Sequence, residues 1–377
     1  MFNKTSMSIV AAAAVSALST AACAQTSTVQ IYGTMDAGVL SQNRSSLPGN
    51  GRVTRVESSG IRPSVLGFKG SEDLGGGLSA FFNLESHIDL DTGAIHGTGD
   101  NGTPLTAQPM WRRQANVGLA GNWGSVTIGR QYGPALLAQV ATEPRAMKEQ
   151  FSNLYAWAYN QLETIAGTGA ANSNNDVGIF FKNAVQYRAT VGPITGGVMY
   201  SFGEQANGFS KNSVAAVGLT YTGPVVLSFS HEFMKDQVTA HKVVKHTGIG
   251  AAVPFGDFTA KANWLRGDND SAAGVHTSRV DARSVGVDWR WSGINSATLA
   301  YYDNKDKLNS SNHTKNIVVS NDYSFSKRTT LYVQAAYVDA SSGAIGNAAL
   351  KTSIIADASY KAGAKTTFVN VGINHTF

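Results

Sequence analysis

From Val29 onward, apolar and polar residues alternate in short segments separated by glycine-rich or polar breaks. This period of two sets successive side chains on opposite faces of a β-strand. The clearest segments can be read face by face. Phe258, Ala260, Ala262 and Trp264 share one side against Thr259, Lys261 and Asn263, and Val285, Val287, Trp289 and Trp291 oppose Ser284, Gly286, Asp288 and Arg290. Leu331, Val333, Ala335 and Tyr337 oppose Tyr332, Gln334 and Ala336, while Val369, Val371, Ile373, His375 and Phe377 alternate with Asn370, Gly372, Asn374 and Thr376. A strand with one apolar and one polar face divides two different environments, and every clear segment has that form.

The breaks between segments alternate in length. Short turns fall at Asp73-Leu74-Gly75-Gly76-Gly77, Gly121 to Gly124, Val191-Gly192-Pro193, Gly223-Pro224, Pro254 to Asp257, Gly293-Ile294-Asn295 and Ser326-Lys327-Arg328. Longer polar stretches lie at Gln42 to Gly60, Asp91 to Pro109, a central segment, Glu204 to Asn212, Lys235 to Val243, Asp268 to Ala282, Lys305 to Thr314 and Ala340 to Lys365. Seven short links among eight long ones make sixteen strands, at roughly 22 residues per strand plus connection, enough for tilted crossings of about 9 to 11 residues. The pattern predicts an all-β chain: a 16-stranded antiparallel transmembrane β-barrel with short periplasmic turns, long extracellular loops and both termini on the short-turn side. Aromatics near strand ends (Trp123, Tyr221, Phe255, Phe258, Trp291, Tyr323, Phe325, Phe377) fit an interfacial girdle, although aromatics also favour strands for their own sake. A chain that stops on its last strand leaves that strand able to pair with the first, removing the open edges a bilayer forbids.

One connection departs from the rest. Residues 133–177 show no sustained strand alternation, mix Glu143, Arg145, Lys148, Glu149 and Glu163, and lie between VTIGRQYG and VGIFFKNAVQY, both of which read as strands. So long a connection inside an ordered β-protein is usually functional or disordered. Within a closed barrel it can fold into the lumen as a constriction; as an ordinary hydrated loop its charges need no further role.

Composition removes several alternatives. Lys4, the apolar run from Met7 to Leu18 and the small residues Ala22-Cys23-Ala24 read as an export signal spanning residues 1–24, with the barrel domain at 25–377. That run is too short to span a bilayer as a helix, which takes about 20 residues. Cys23 is the only cysteine and leaves with the signal, so no disulfide framework is possible; Thr20, standing where a lipidation signal needs Leu, argues against a lipid anchor. A formal charge of +5 without any basic run gives no nucleic-acid signature. No nucleophile elbow occurs, and His231-Glu232 lacks the second histidine of a zinc-protease helix and sits in a strand pattern. His241 and His246 have no carboxylate or cysteine partner at metal-ligand spacing, so solvated or lumen-lining histidines are expected, with no metal, no cofactor and no enzyme chemistry.

Several stretches resemble one family in order along the chain. Ser64-Val65-Leu66-Gly67-Phe68-Lys69-Gly70-Ser71-Glu72-Asp73-Leu74-Gly75-Gly76-Gly77-Leu78, Arg113 to Leu119, Val126 to Tyr132, Asn321 to Thr329 and the closing Val371 to Phe377 resemble the general porins of Gram-negative bacteria, in their β-proteobacterial branch. The resemblance implies trimeric 16-stranded outer-membrane barrels with the third loop folded inside as an eyelet, acidic loop residues facing a basic wall. On this sequence that implies Lys69, Arg112, Arg113 and Arg130 as wall candidates and Glu143, Arg145, Lys148 and Glu149 as loop candidates. Local parity favours Arg112 and Gln114 pointing inward, whereas Arg113 holds the family position, so both arginines are retained. Val65 and Phe180 stand where the family carries wall arginines, and Glu143-Pro144-Arg145 replaces the loop motif of enteric relatives. The expectation is a water-filled channel for passive diffusion of small hydrophilic solutes and ions, a homotrimer among outer-membrane lipid and lipopolysaccharide. Its alternatives are a substrate-specific porin with a narrowed eyelet and a non-channel binding or adhesin barrel.

Overall fold

The computed structural model describes residues 27–45, 49, 51–95, 109–154, 157, 172–176, 178–341 and 363–377. The expected signal and Glu163 lie outside them. The strands are β1 (Ser27–Gln42), β2 (Val53–Ser58), β3 (Val65–Gly75), β4 (Leu78–His87), β5 (Gln114–Gly121), β6 (Gly124–Tyr132), β7 (Asn175–Asp176), β8 (Phe180–Val191), β9 (Ile194–Ser201), β10 (Val214–Thr222), β11 (Val226–Lys235), β12 (Lys242–Phe255), β13 (Phe258–Asp270), β14 (His276–Ser292), β15 (Asn295–Asp306), β16 (His313–Ser324), β17 (Thr329–Ala340) and β18 (Lys365–Thr376), with a short helix α1 at Pro134–Gln139. All pair antiparallel in one sheet.

Eighteen strands make sixteen staves. β2 and β3 run along the same edge of β1, pairing with Gln42 to Ala37 and then with Thr34 to Ser27, so they form one interrupted stave. β7 is a two-residue ladder on β8, within the long connection. The cylinder closes where β1 meets β18, from Thr34 opposite Thr376 to Gln42 opposite Phe368. Gly33 and Phe377 exchange backbone hydrogen bonds of 3.1 and 3.0 Å, and a side chain at position 33 would strike the Phe377 ring.

The expected faces are those observed. Val371 is 55% exposed while its neighbour Asn370 is fully buried, and Val333 is 44% exposed beside fully buried Gln334. The exposed row turns to lipid and the buried row into the lumen, the alternation a bilayer-spanning barrel requires. Gly75, Gly76 and Gly77 all take positive φ (83, 61 and 79°) in the first short turn, a conformation open to glycine without steric cost.

Some strands run longer than their polar ends predict. The stretch Asp268 to Ala282 reads as a loop in the sequence, yet β13 continues to Asp270 and β14 begins at His276. Cross-strand ion pairs explain this: Arg266 forks onto Asp281 at 2.7 and 3.0 Å, and Arg279 meets Asp268 at 2.5 Å. Charged residues directly opposite one another support a ladder as well as apolar ones do.

The inner wall is not uniformly polar. Leu136, Met147, Leu154 and Trp157 of the long connection pack with Phe181, Met199, Met234 and Leu265 of the wall. Across the lumen, Phe151 packs with Leu40, Tyr302, Val338 and Phe368. A barrel normally wet inside thus carries two dry seats for its own third loop.

Candidate functional site

The loop begins where β6 ends. Gly133 donates to the Ile179 carbonyl at 2.9 Å, and Pro134, which needs no helical N–H partner, starts α1. The helix can lie flat on the wall because the strands beneath it lack side chains. A Cβ on Gly197 would meet Pro134 Cβ at 2.9 Å, one on Gly218 would overlap the Pro134 carbonyl, one on Gly248 would meet Gln139 Nε2 at 2.7 Å, and one on Gly286 would meet Pro144 Cβ at 2.8 Å. Between the glycines stand serines that bond the loop. Thr142 Oγ1 lies 2.6 Å from Ser228 Oγ, and Gln139 Nε2 donates to Ser230 Oγ at 2.9 Å while its Oε1 accepts from Ser228 at 3.0 Å.

The loop's far end folds on Glu143. Its buried carboxylate accepts from the backbone N–H groups of Arg145 and Met147, each at 2.8 Å, and of Asn153 at 3.2 Å. Such charge-assisted bonds contribute about 1.5–3 kcal/mol each when formed away from water. Arg145 donates to the Gln150 carbonyl and to Gln334 Oε1 at 2.5 Å. Lys148 reaches Asp322 at 2.6 Å and Asn153 reaches Asn263 at 3.3 Å, so the segment after α1 stays bound to β13, β16 and β17.

The end rests on the closing seam. Gln150 N and Gln334 Nε2 both donate to the Gly60 carbonyl, at 3.2 and 3.1 Å, and Asn370 Nδ2 donates to Gln150 Oε1 at 2.6 Å. Gly60 is placed by Asp36. The buried Asp36 carboxylate accepts from the N–H groups of Gly60 (2.7 Å), Ile61 (3.2 Å) and Arg62 (3.0 Å), from Tyr332 OH (2.8 Å) and from Asn374 Nδ2 (3.1 Å). One inward acid therefore fixes the break between β2 and β3 and ties it to β17 and β18.

A second charged wall lies on β4 and β5. Glu85 accepts from Arg113 Nε at 2.5 Å, Gln114 Nε2 at 3.0 Å and Tyr32 OH at 3.0 Å. Arg113 also bonds Tyr132 OH and sits 5.1 Å from the Phe180 ring centroid, within the electrostatic reach of Glu149. Lys69 lies lower, its Nζ 5.0 Å from the centroid of Tyr32. Arg112 goes elsewhere: it forks onto Asp176 at 3.0 and 2.8 Å where the loop returns to the wall, and Arg130 joins the same carboxylate. The eight candidates therefore divide. Arg113 and Glu149 come near one another, Glu143 and Arg145 serve the loop's own fold, Lys148 binds the wall, Lys69 stands alone, and Arg112 with Arg130 hold the loop's exit.

Below the loop's far end opens a cavity of about 520 Å³, lined among others by Lys148, Lys261, Arg290, Asp288, Asp322 and Thr298. Lys261 pairs with Asp288 at 2.5 Å, and Thr298 donates to the same carboxylate at 2.7 Å.

Sequence reasoning missed Asp36, Glu85, Asp176, Gln150 and Gln334. The signal for Asp36 and Glu85 was present, an acid at an inward position of an alternating strand, but their partners lie 24 to 338 residues away in the chain. His246 lies on the lumen face, one of the two placements expected, but it has the carboxylate partner that spacing did not show. It is buried beneath the loop, its Nδ1 2.9 Å from Glu232 Oε1 across the β11–β12 ladder and its ring tilted 55° to that of Trp157, centroids 4.7 Å apart. Spacing hid the pair because β-strands join residues by register and not by sequence distance.

A sequence model described as Gram-negative porin matches residues 11–343. The chain is 30% identical over 386 residues to outer membrane porin protein 32 of Delftia acidovorans, covering 97% of this chain and 98% of that one. It is 25% identical over 349 residues to the major outer membrane protein P.IB of Neisseria gonorrhoeae, covering 85% and 91%. Among solved structures, an anion-selective porin from Comamonas acidovorans matches with a TM-score of 0.75 at 24% identity, over 93% of this chain and 100% of that one. OmpT of Vibrio cholerae matches with a TM-score of 0.62 at 13% identity, over 93% and 98%.

Proposed function

Since this chain belongs to the Gram-negative porins, we propose that residues 133–177 form the constriction of its channel and that the throat favours anions. The protein lies in the outer membrane, and small hydrophilic solutes diffuse passively through its barrel. Family members are channels and not enzymes, and every side chain described above acts by position and charge.

The observation that carries the anion preference is a mismatch of charges on the inner wall. Of the lumen carboxylates, Glu85, Asp176, Asp288 and Asp322 are each held by a cation, while Asp36 and Glu143 are buried behind neutral donors and offer no surface to a passing ion. Among the described residues, the inward cations Lys69, Arg188 and Arg290 enter no ion pair. Unmatched positive charge in a low-dielectric throat raises the local anion concentration and lowers that of cations. A solved relative carries the description anion-selective, which supports the same sign here. The test is the reversal potential of reconstituted protein in a potassium chloride gradient. The expected sign is chloride-selective, moving toward zero in Lys69→Ala with Arg290→Ala; a cation-selective parent would refute the reading.

The same reading carries removal of residues 1–24, assembly as a homotrimer, and contact between the extracellular rim and lipopolysaccharide. Mass spectrometry of the membrane-extracted chain, beginning at Gln25, and cross-linking to a three-chain band would check the first two.

A further inference from the structure

The cavity beneath the loop's far end opens at the short-turn side, where Gly256 and Asp257 of the turn between β12 and β13 complete its lining. Its volume of about 520 Å³ lies within the ~300–1,000 Å³ common to small-ligand pockets. Most of its charge is already matched. Asp288 accepts from Lys261 at 2.5 Å and, through its other oxygen, from Thr298 at 2.7 Å. Lys148 holds only Oδ2 of Asp322, at 2.6 Å; the second oxygen, Oδ1, is buried and meets no donor among the described residues. Arg145 is committed to Gln150 and Gln334. One guanidinium remains, that of Arg290, which enters no ion pair or side-chain hydrogen bond among the described residues.

These two unmatched groups have opposite sign and stand on either side of one strand. Ser296 of β15 pairs with Asp322 of β16, and on its other side the irregularity between Trp289 and Ser292 of β14 sets Arg290 beside it. Two strand spacings put the Cα atoms of Arg290 and Asp322 ~10 Å apart, with Ser296, also in the lining, between them. A solute that carries a carboxylate and an ammonium on one carbon can take a charge-assisted bond of about 2.8 Å at each end of that gap. A plain anion would meet the free Asp322 oxygen and, on the turn at the mouth, the Asp257 carboxylate; a plain cation would meet Arg290. Pro144, Ala146 and Pro254 make part of the lining apolar, which suits a short hydrocarbon side chain.

We propose that this cavity is a subsite for a neutral α-amino acid with a small apolar side chain, its carboxylate on Arg290 and its ammonium on Asp322 Oδ1. The inference rests on the reading of the lumen as a path for small hydrophilic solutes, and a subsite on such a path must hold its solute weakly enough to release it. Detergent-solubilised protein is titrated with L-valine, with isovalerate, which lacks the ammonium, and with isobutylamine, which lacks the carboxylate. L-valine is expected to bind at least tenfold more tightly than either, since each loses one charge-assisted bond. Arg290→Gln is expected to weaken L-valine at least tenfold, and because Arg290 makes no side-chain bond to the loop among the described residues, it tests the site without touching the loop's anchors. Asp322→Asn is expected to abolish the preference for L-valine over isovalerate, a change that a loosened loop alone would not produce. Isovalerate binding the parent as tightly as L-valine would overturn the proposal, as would parent-like affinity in Arg290→Gln or an unchanged preference in Asp322→Asn. Ion current across bilayers keeps the two readings apart: a parent that conducts without binding L-valine loses the subsite and keeps the channel, and one that binds L-valine without conducting loses the channel and keeps the subsite.

Discussion

At the scale of the residue, the most exacting positions are those that carry nothing. Gly218 faces the Pro134 carbonyl and Ala138 Cβ, so any side chain there must displace either the helix or the strand. Gly218→Val is expected to destabilise the docked loop by about 1–3 kcal/mol, the range for overpacking a closely packed site. The outcome is a larger and noisier single-channel conductance, whereas Gly293→Ala, with nothing within 4 Å of its new Cβ, leaves conductance and thermal stability unchanged. An unaltered current through Gly218→Val would show that the helix does not set the aperture. Arg113 teaches a related lesson. Parity within β5 points Gln114 inward and Arg113 away, yet β5 begins only at Gln114, so the arginine precedes the regular alternation and swings to Glu85 and Tyr132.

At the scale of the element, the loop behaves as a hairpin closed by one carboxylate. Glu143→Ala removes the acceptor for three backbone donors and is expected to cost about 2–3 kcal/mol of loop order, the lower range for losing bonds to a buried charge. New conductance substates above the parent level are the expected signature. Glu143→Gln, which keeps an oxygen but loses the charge, falls between the two; parent-like traces from Glu143→Ala would remove this residue from the latch. The strands were legible in the sequence because the two faces of a stave meet lipid and lumen, and that contrast is written every second residue in segments such as Val369 to Phe377. The loop was legible as an exception to the pattern. Its seats were not, since Gln150 touches Gly60, Gln334 and Asn370, residues joined by closure of the barrel and by no local rule.

At the scale of the whole molecule, selectivity is a property of summed charge. Of the eight charged residues singled out from the sequence, four (Arg112, Arg113, Arg130 and Lys148) are paired with carboxylates, and the unmatched cations include Arg188 and Arg290, which no motif marked. Pairing depends on which side chains the cylinder brings face to face, so net lumen charge could not be read along the chain. Screening then gives a direct check. The Debye length falls from about 10 Å at 0.1 M salt to about 3 Å at 1 M, so anion preference measured by reversal potential is expected to decline steeply between those concentrations. Preference that held constant would assign selectivity to pore width instead.

The acid at position 36, on the first stave, gathers donors from the break between β2 and β3 and from the two final staves. Its partners Tyr332 and Asn374 are synthesised last, and Asn370, which holds Gln150, comes with them. An unfinished cylinder therefore lacks the mooring that Gln150 finds on the closing seam. The far end of the loop is then expected to settle only when the last two staves arrive, so a barrel stalled short of its final strand would hold its inner segment by one end alone.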